Sequence, residues 1–333
     1  MPKISKKNWT NWHHLLHKSL LNNDHFIPKN IQLLISVSGG QDSMALLHLL
    51  NELKDHYNWI IKVWHGDHRW HDKSSDYANE LEHFCSLRKI MFYSDCANNE
   101  NINNEEKARN WRYDKLLKRA KEISTKSSDI KTVYIATGHT GTDNTETFLL
   151  NLARGSNYAG LRGIPKKRLL NEQFYVVRPI LIFSREETFS ICKSMKIPIW
   201  EDPTNNDLTI KRNFIREKIL IDLENIYPGC SNRINNFINK MSQVNDERSD
   251  LSKLALLSCM NNNSLERKKI NSLGKEARAT LLNLFLKTKC SKQISSKNIE
   301  NISSNIFQKQ NGQIDLPEDL KIIWNENYIL LKN

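Results

Sequence analysis

The 333-residue chain predicts an α/β fold: a doubly wound parallel sheet followed by a smaller, mainly helical C-terminal domain. Three observations carry that expectation. Short β-branched runs alternate with helix-period segments up to about residue 225, the pattern of β–α units joined by right-handed crossovers. The first unit, IQLLISVSGGQDS at 31–43 running into MALLHLLNEL, reads as a strand, a turn without bulky side chains and a helix start. Past Pro228-Gly229 the alternation stops, and the sequence turns helical, polar and rich in Lys and Asn. The expected domains are 1–225 and 226–333.

Residues 9–21 read as a helix with Trp9, Trp12, His13 and Leu16 on one side. His13, His14 and His17 have no carboxylate or cysteine companion close in sequence, so they read as helix surface rather than metal ligands. After the first strand at 31–37, WIIKV at 59–63 is a second strand, then a polar loop leads to a helix starting near Ser74-Ser75. KIMFYS at 89–94 is the third strand. The stretch EEKARNWRYDKLLKRAKEI is strongly helical and sets Arg109, Arg112, Lys115, Lys118 and Arg119 at spacings of three and four. That face is either a binding surface or a solvated one in which Glu105 and Glu106 pair with Arg109. TVYIAT at 132–137 and FYVVRP at 174–179 are the fourth and fifth strands. Ser184 with Glu187 three residues on is a capping box. The chain closes on a β-hairpin around Asn325-Glu326-Asn327.

Composition narrows the function. A net charge of +12 and a pI near 9.3 favour a polyanionic partner, with nucleic acid first. No apolar run approaches the roughly 20 residues needed to cross a bilayer, and the start lacks the apolar core of a secretory signal. The six cysteines are scattered with no CxxC pair, which speaks against a zinc ribbon or a dithiol motif and for reduced thiols in a cytoplasm.

The chemistry-bearing residues fall at the carboxyl ends of the strands, where such sheets bind ligands. Ser38, Gly39, Gly40, Gln41, Asp42 and Ser43 form a backbone nest at a helix N-terminus, suited to an anion. It lacks the Lys of a Walker A loop. Asp42 inside the nest is unfavourable beside phosphate unless a cation bridges them, which implies Mg²⁺. His65, Asp67, His68 and Arg69 end the second strand. His65, Asp67, His68 and His71 could ligate a metal, but read better as lining the nucleotide pocket. His139 ends the fourth strand, and Asp143 and Glu146 share one face of the next helix, so all three converge on the crevice of Asp42. Such acids suit magnesium, or a cationic substrate group whose proton must be removed. Arg154-Gly155-Ser156 breaks that helix and opens a Gly-rich loop. Arg212 and Arg216, four apart, could clamp phosphate.

Taken together, residues 38–43, 65–68, 105–113, 138–147, 154–165, 178–179 and 201–216 resemble, in that order, the pattern of the tRNA(Ile)-lysidine synthetases, within the PP-loop ATP pyrophosphatase superfamily. The loop alone is shared with thiouridine synthases, GMP synthetase and asparagine synthetase. The segments ETFLLNLARGSNYAGLRGIP and WEDPTNNDLTIKRNFIR are far more specific. The resemblance implies a ligase that adenylates the wobble cytidine of a CAU-anticodon isoleucine tRNA with ATP, then joins free L-lysine to its carbon 2. It implies ATP binding by residues 38–43 and His65, with Mg²⁺ at Asp42. Catalysis would rest on Asp42, Asp143, Glu146, Arg109 and Arg112. Lysine would be bound by His139, Asp143 and Glu146, and tRNA phosphate by Arg154, Arg212 and Arg216. A homodimer is left open. Thr142 departs from the family's usual pair of adjacent acids, leaving Asp143 alone. Two alternatives stand beside it: a tRNA thiolase of the same superfamily, disfavoured by the cysteine spacing, and a passive nucleotide- or RNA-binding module, disfavoured by several acids near phosphate.

Overall fold

The computed structural model describes residues 9–21, 26–70, 73–97, 105–127, 130–200, 207–290, 292 and 294–332. The chain divides into two units, Met1–Met241 and Ser242–Asn333. The first is built on six strands: β1 (Gln32–Ser36), β2 (Ile60–Asp67), β3 (Met91–Cys96), β4 (Val133–Thr137), β5 (Lys167–Leu169) and β6 (Tyr175–Val177). Their order is β3-β2-β1-β4-β6-β5, parallel throughout except for β5, which runs antiparallel to β6. The order reverses direction between β1 and β4, so the carboxyl ends of those two strands flank the crevice where ligands sit in open α/β sheets.

Helices α1 (Asn11–Leu21), α2 (Gln41–Tyr57), α3 (Ser74–Leu87), α4 (Glu105–Lys126), α5 (Gly141–Ala153), α6 (Tyr158–Leu161) and α7 (Arg185–Ser194) accompany the sheet. They are followed by α8 (Lys211–Phe214), a wide π turn at Ile215–Leu220 and α9 (Ile221–Ile226). Strand alternation decides which face each residue feeds. Leu33, Ile35 and Val63 point into a core with Leu16, Leu46, Leu50, Leu81 and Ile191. Leu34, Trp64, Ile135 and Val176 point the other way, onto Trp111, Leu116, Ala120 and Ile123 of α4. The sheet is thus covered on both sides, as a doubly wound fold requires.

The structure corrects two details. β5 is a three-residue edge strand among charged residues, too short for a periodic signal. His13 does not lie on the helix surface: it is fully buried, and Glu52 on α2 stands 3.0 Å from its Nε2. The missing carboxylate companion comes from 39 residues away. His14 is exposed and His17 half-buried. His71 and residues 201–206, singled out above, lie outside the described residues.

α10 (Cys230–Cys259) contains the division between the units. The second unit carries α11 (Arg267–Asn271), α12 (Lys275–Leu286) and α13 (Ser296–Gln308). Beside them lies an antiparallel sheet of β7 (Met260–Asn261), β8 (Ser264–Glu266), β9 (Gly312–Asp315), β10 (Lys321–Trp324) and β11 (Tyr328–Lys332), in the order β7-β8-β11-β10-β9. β10 and β11 are the expected terminal hairpin; the other three strands were not expected. Leu282, Phe285, Ile306, Ile322 and Ile329 fill its core. Buried Arg267 ties it together, donating to the carbonyls of Asn325, Ile306 and Lys309 at 2.6–2.8 Å.

Candidate active site

The loop after β1 is shaped by one hydroxyl. Ser43 Oγ accepts from the N–H groups of Ser38 and Gly39, both at 3.2 Å, and donates to the Gly40 carbonyl at 2.9 Å. Gly39 has φ +95°, and a Cβ there would press on the Trp200 ring at 3.2 Å. Only glycine fits that conformation and contact. No side chain caps the start of α2, so its first amides are left for a ligand. At the end of β4, Gly138 packs against the same turn: a Cβ there would stand 3.0 Å from the backbone N and Cα of Ser43. This contact sets the start of the β4–α5 segment against the nucleotide loop.

His65 is buried, and its Nδ1 lies 2.8 Å from the Val37 carbonyl. Burial lowers its pKa below 6.5. The ring is therefore neutral near pH 7, with the Nδ1 proton donated to a group that only accepts.

Asp42 faces α7. Arg185 Nη1 lies 3.0 Å from Oδ2, and the Thr188 hydroxyl donates to Oδ1. Gln41 holds the same helix through the Arg185 carbonyl at 2.6 Å. Burial, and then the charge of Asp143, push the Asp42 carboxyl up to about 6 despite Arg185. Thr142 accepts the Arg185 N–H at 3.0 Å and so seats the start of α7 with a neutral oxygen.

Asp143 and Glu146 sit in the opposite electrostatic situation. Asp143 Oδ2 accepts the Thr140 N–H and hydroxyl at 2.7 and 2.9 Å, a capping box for α5. Its Oδ1 accepts from Arg212 Nη2 at 2.7 Å. Glu146, only 1% exposed, takes Arg212 Nε at 2.6 Å and Arg216 Nε at 2.7 Å. One guanidinium therefore bridges both acids, as their shared helix face allows. Burial works against the Asp143 charge, but Arg212, His139 and the Thr140 donors hold its carboxyl below the ordinary range. His139 shares a 2.9 Å hydrogen bond with Thr137 through Nδ1. Burial lowers its pKa far below 6.5, opposed by Asp143 and helped by Arg178, Arg212 and Arg109.

The arginines divide. Arg212 and Arg216, read from sequence as phosphate clamps, are here engaged by Asp143 and Glu146. Arg112 lies 3.3 Å from His68 Nε2. Arg109 forms no pair with Glu105 or Glu106 and stands over the Tyr113 ring at 5.4 Å. Arg154 is exposed at the far end of α5, roughly 16 Å along the axis from Asp143, and is not brought to the crevice. Sequence reading passed over Arg185 and Thr188, and named Arg178 and Tyr113 only as members of the matching segments without a role. Only the Thr140–Asp143 capping pair had a local signal.

A PP-loop domain family matches residues 12–223. The chain is 56% identical over 328 residues to a tRNA(Ile)-lysidine synthase of Prochlorococcus marinus subsp. pastoris, covering 98% of each. It is 42% identical to another from Prochlorococcus marinus strain SARG, again over 98% of each chain. Among solved structures it is similar to the U34-tRNA thiolase NcsA from Methanococcus maripaludis, with TM-score 0.55 at 18% identity, covering 69% of this chain and 77% of that one. That likeness speaks to the fold alone. Together with the loop, the capped α5 acids and the crevice between β1 and β4, these matches establish that the chain belongs to the tRNA(Ile)-lysidine synthase family.

Proposed function

We propose that this chain joins free L-lysine to carbon 2 of the wobble cytidine in the CAU anticodon of an isoleucine tRNA. The cytidine O2 attacks the ATP α-phosphate and pyrophosphate leaves. The lysine ε-amine, having lost a proton, attacks carbon 2, and AMP departs with the former carbonyl oxygen. The observation that carries this reading is that Gly138 packs on the Ser43 backbone and Thr142 accepts the Arg185 N–H, so the phosphate loop and the acidic start of α5 are held against each other.

Residues 38–43 would receive the phosphates, and the Arg185–Thr188 clamp would set Asp42. Among the described residues no three His, Cys, Asp or Glu side chains gather around a metal. A dication at Asp42 would therefore take one carboxylate, phosphate oxygens and water, which suits magnesium. The raised Asp42 pKa fits that role, since a nearby dication would relieve the charge that burial and Asp143 make costly. Bound magnesium would neutralise phosphate charge.

Asp143, which keeps its charge, is the group suited to hold the lysine ammonium, with the neutral His139 beside it. Glu146 is too buried to meet substrate and acts as a positioning residue, fixing Arg212 and Arg216. Arg109 and Arg112 would face the RNA from the same crevice, and Arg154, exposed at the far end of α5, is assigned an outer phosphate. Residues 226–333 would form the basic domain that grips the tRNA through phosphates and shape.

Labelled lysine, ATP and a CAU-anticodon tRNA transcript test this reading. Label in the RNA with one AMP and one pyrophosphate per lysine is expected. ATP consumption without labelled RNA would contradict it.

A further inference from the structure

Three arginines without a carboxylate partner among the described residues surround Tyr113 on α4. Arg178, just past β6, is 2% exposed. Its Nη1 donates to the Pro165 carbonyl at 2.6 Å and its Nη2 to the Tyr113 hydroxyl at 3.3 Å, while its buried Nε has no partner. The Arg168 guanidinium, from β5, stands 4.9 Å from the Tyr113 ring centre, and that of Arg109 5.4 Å away. Among the described residues no carboxylate forms an ion pair with any of the three, whereas Arg212 and Arg216 are neutralised by Asp143 and Glu146. A buried guanidinium with one carbonyl and one phenol around it recovers little of its lost hydration. The three cations hold the Tyr113 phenol below its ordinary pKa although burial opposes this.

We propose that the exposed Arg109 and Arg168, arrayed about Tyr113 and backed by the charge of buried Arg178, bind a phosphodiester of the substrate RNA beside the base being modified. The proposal rests on the reaction above for the identity of the RNA. Arg178 follows Val177, which pairs with Ala136 of β4, so the cluster lies beside the end of β4 that leads to His139. Two of its cations, Arg109 and Arg168, are exposed and open to a large ligand. β5 is three strand steps from β1, about 14 Å, so Arg168 stands well away from phosphates seated on residues 38–43. An RNA backbone crossing the sheet edge reaches it.

Arg168→Ala is the first test, because the exposed side chain is not needed for the core. Binding of a CAU anticodon stem–loop is measured over a salt series, with ATP affinity measured separately. The expected result is a salt slope smaller by about 0.7 and a Kd weaker by about fivefold at 0.1 M salt, the loss of one single-strand phosphate contact. Arg168→Lys restores the slope, and ATP affinity does not change. An unchanged slope in Arg168→Ala overturns the proposal. So does a loss confined to ATP, which would make the anion a nucleotide phosphate. Lysine transfer by the unaltered protein reads the reaction separately. RNA binding with an Arg168-dependent slope but no transfer would keep the phosphate site and remove the reaction.

Discussion

Asp42 and Asp143 flank one sheet crevice, yet their surroundings treat them oppositely. Asp42 is half-buried against α7 with one partly exposed arginine, and its carboxyl is pushed up to about 6. Asp143 accepts two Thr140 donors and Arg212, and its carboxyl is pushed down. The same side chain is thus kept under electrostatic stress at the phosphate loop and fully satisfied at the start of α5. A stressed carboxylate is one that a cation can relieve. A satisfied one keeps its charge and place until a substrate cation competes for it.

The sharpest way to break this contrast is Glu146→Gln. It leaves Arg212 with Asp143 and Glu105 and takes from Arg216 the acid it is paired with among the described residues. Breaking such a buried network costs about 3–5 kcal/mol, so chemical denaturation should show a loss of that size together with loss of lysine transfer. Restored transfer at near-native stability would mean that Glu146 does not order the arginines.

Asp42→Asn should act with the opposite sign. Because the folded chain holds the Asp42 proton more tightly than the ordinary value of 3.8, stability falls as pH climbs from about 4 to about 6. Asparagine escapes that loss. With the carboxyl raised from 3.8 to about 6, the variant should gain about 3 kcal/mol at pH 8, the gain should vanish below pH 4, and adenylation should be lost. Denaturation curves at the two pH values check it.

Gly138→Ala should separate the two halves of the crevice. The added methyl meets the Ser43 backbone, which has no room to yield, so about 1–3 kcal/mol and a raised KM for ATP are expected. Thr140→Ala should cost the least, about 1 kcal/mol for a lost cap. It should also raise the Asp143 pKa. The stabilising Asp143 charge, present above pH 3.8 and lost as pH falls through its lowered folded pKa, should then be lost at a higher pH during acid unfolding.

Much of the first unit was legible because its signals are local. β1, its glycine turn and α2 lie within one stretch, the four inner parallel strands are β-branched runs, and the Ser184–Glu187 box is three residues wide. Residue types on one helix face also announced that Asp143 and Glu146 act together. Partners from distant elements left no local trace. Glu52 beside His13, Arg185 beside Asp42 and Arg212 beside Glu146 are 39, 143 and 66 residues apart. Sequence spacing could not reveal that the apparent phosphate clamps are spent on the acids, while Arg178 is buried without one. β5, β7 and β8 span two or three residues, too few for a period of two to show.

The central claim is that both ends of the crevice share one electrostatic field. It is tested by following the Asp42 carboxyl by carbon-13 NMR through a pH titration, in the unaltered protein and in Asp143→Asn. A midpoint near 6 that falls toward 3.8 in the variant is the expected result. A midpoint that does not move would place the two carboxylates in separate sites.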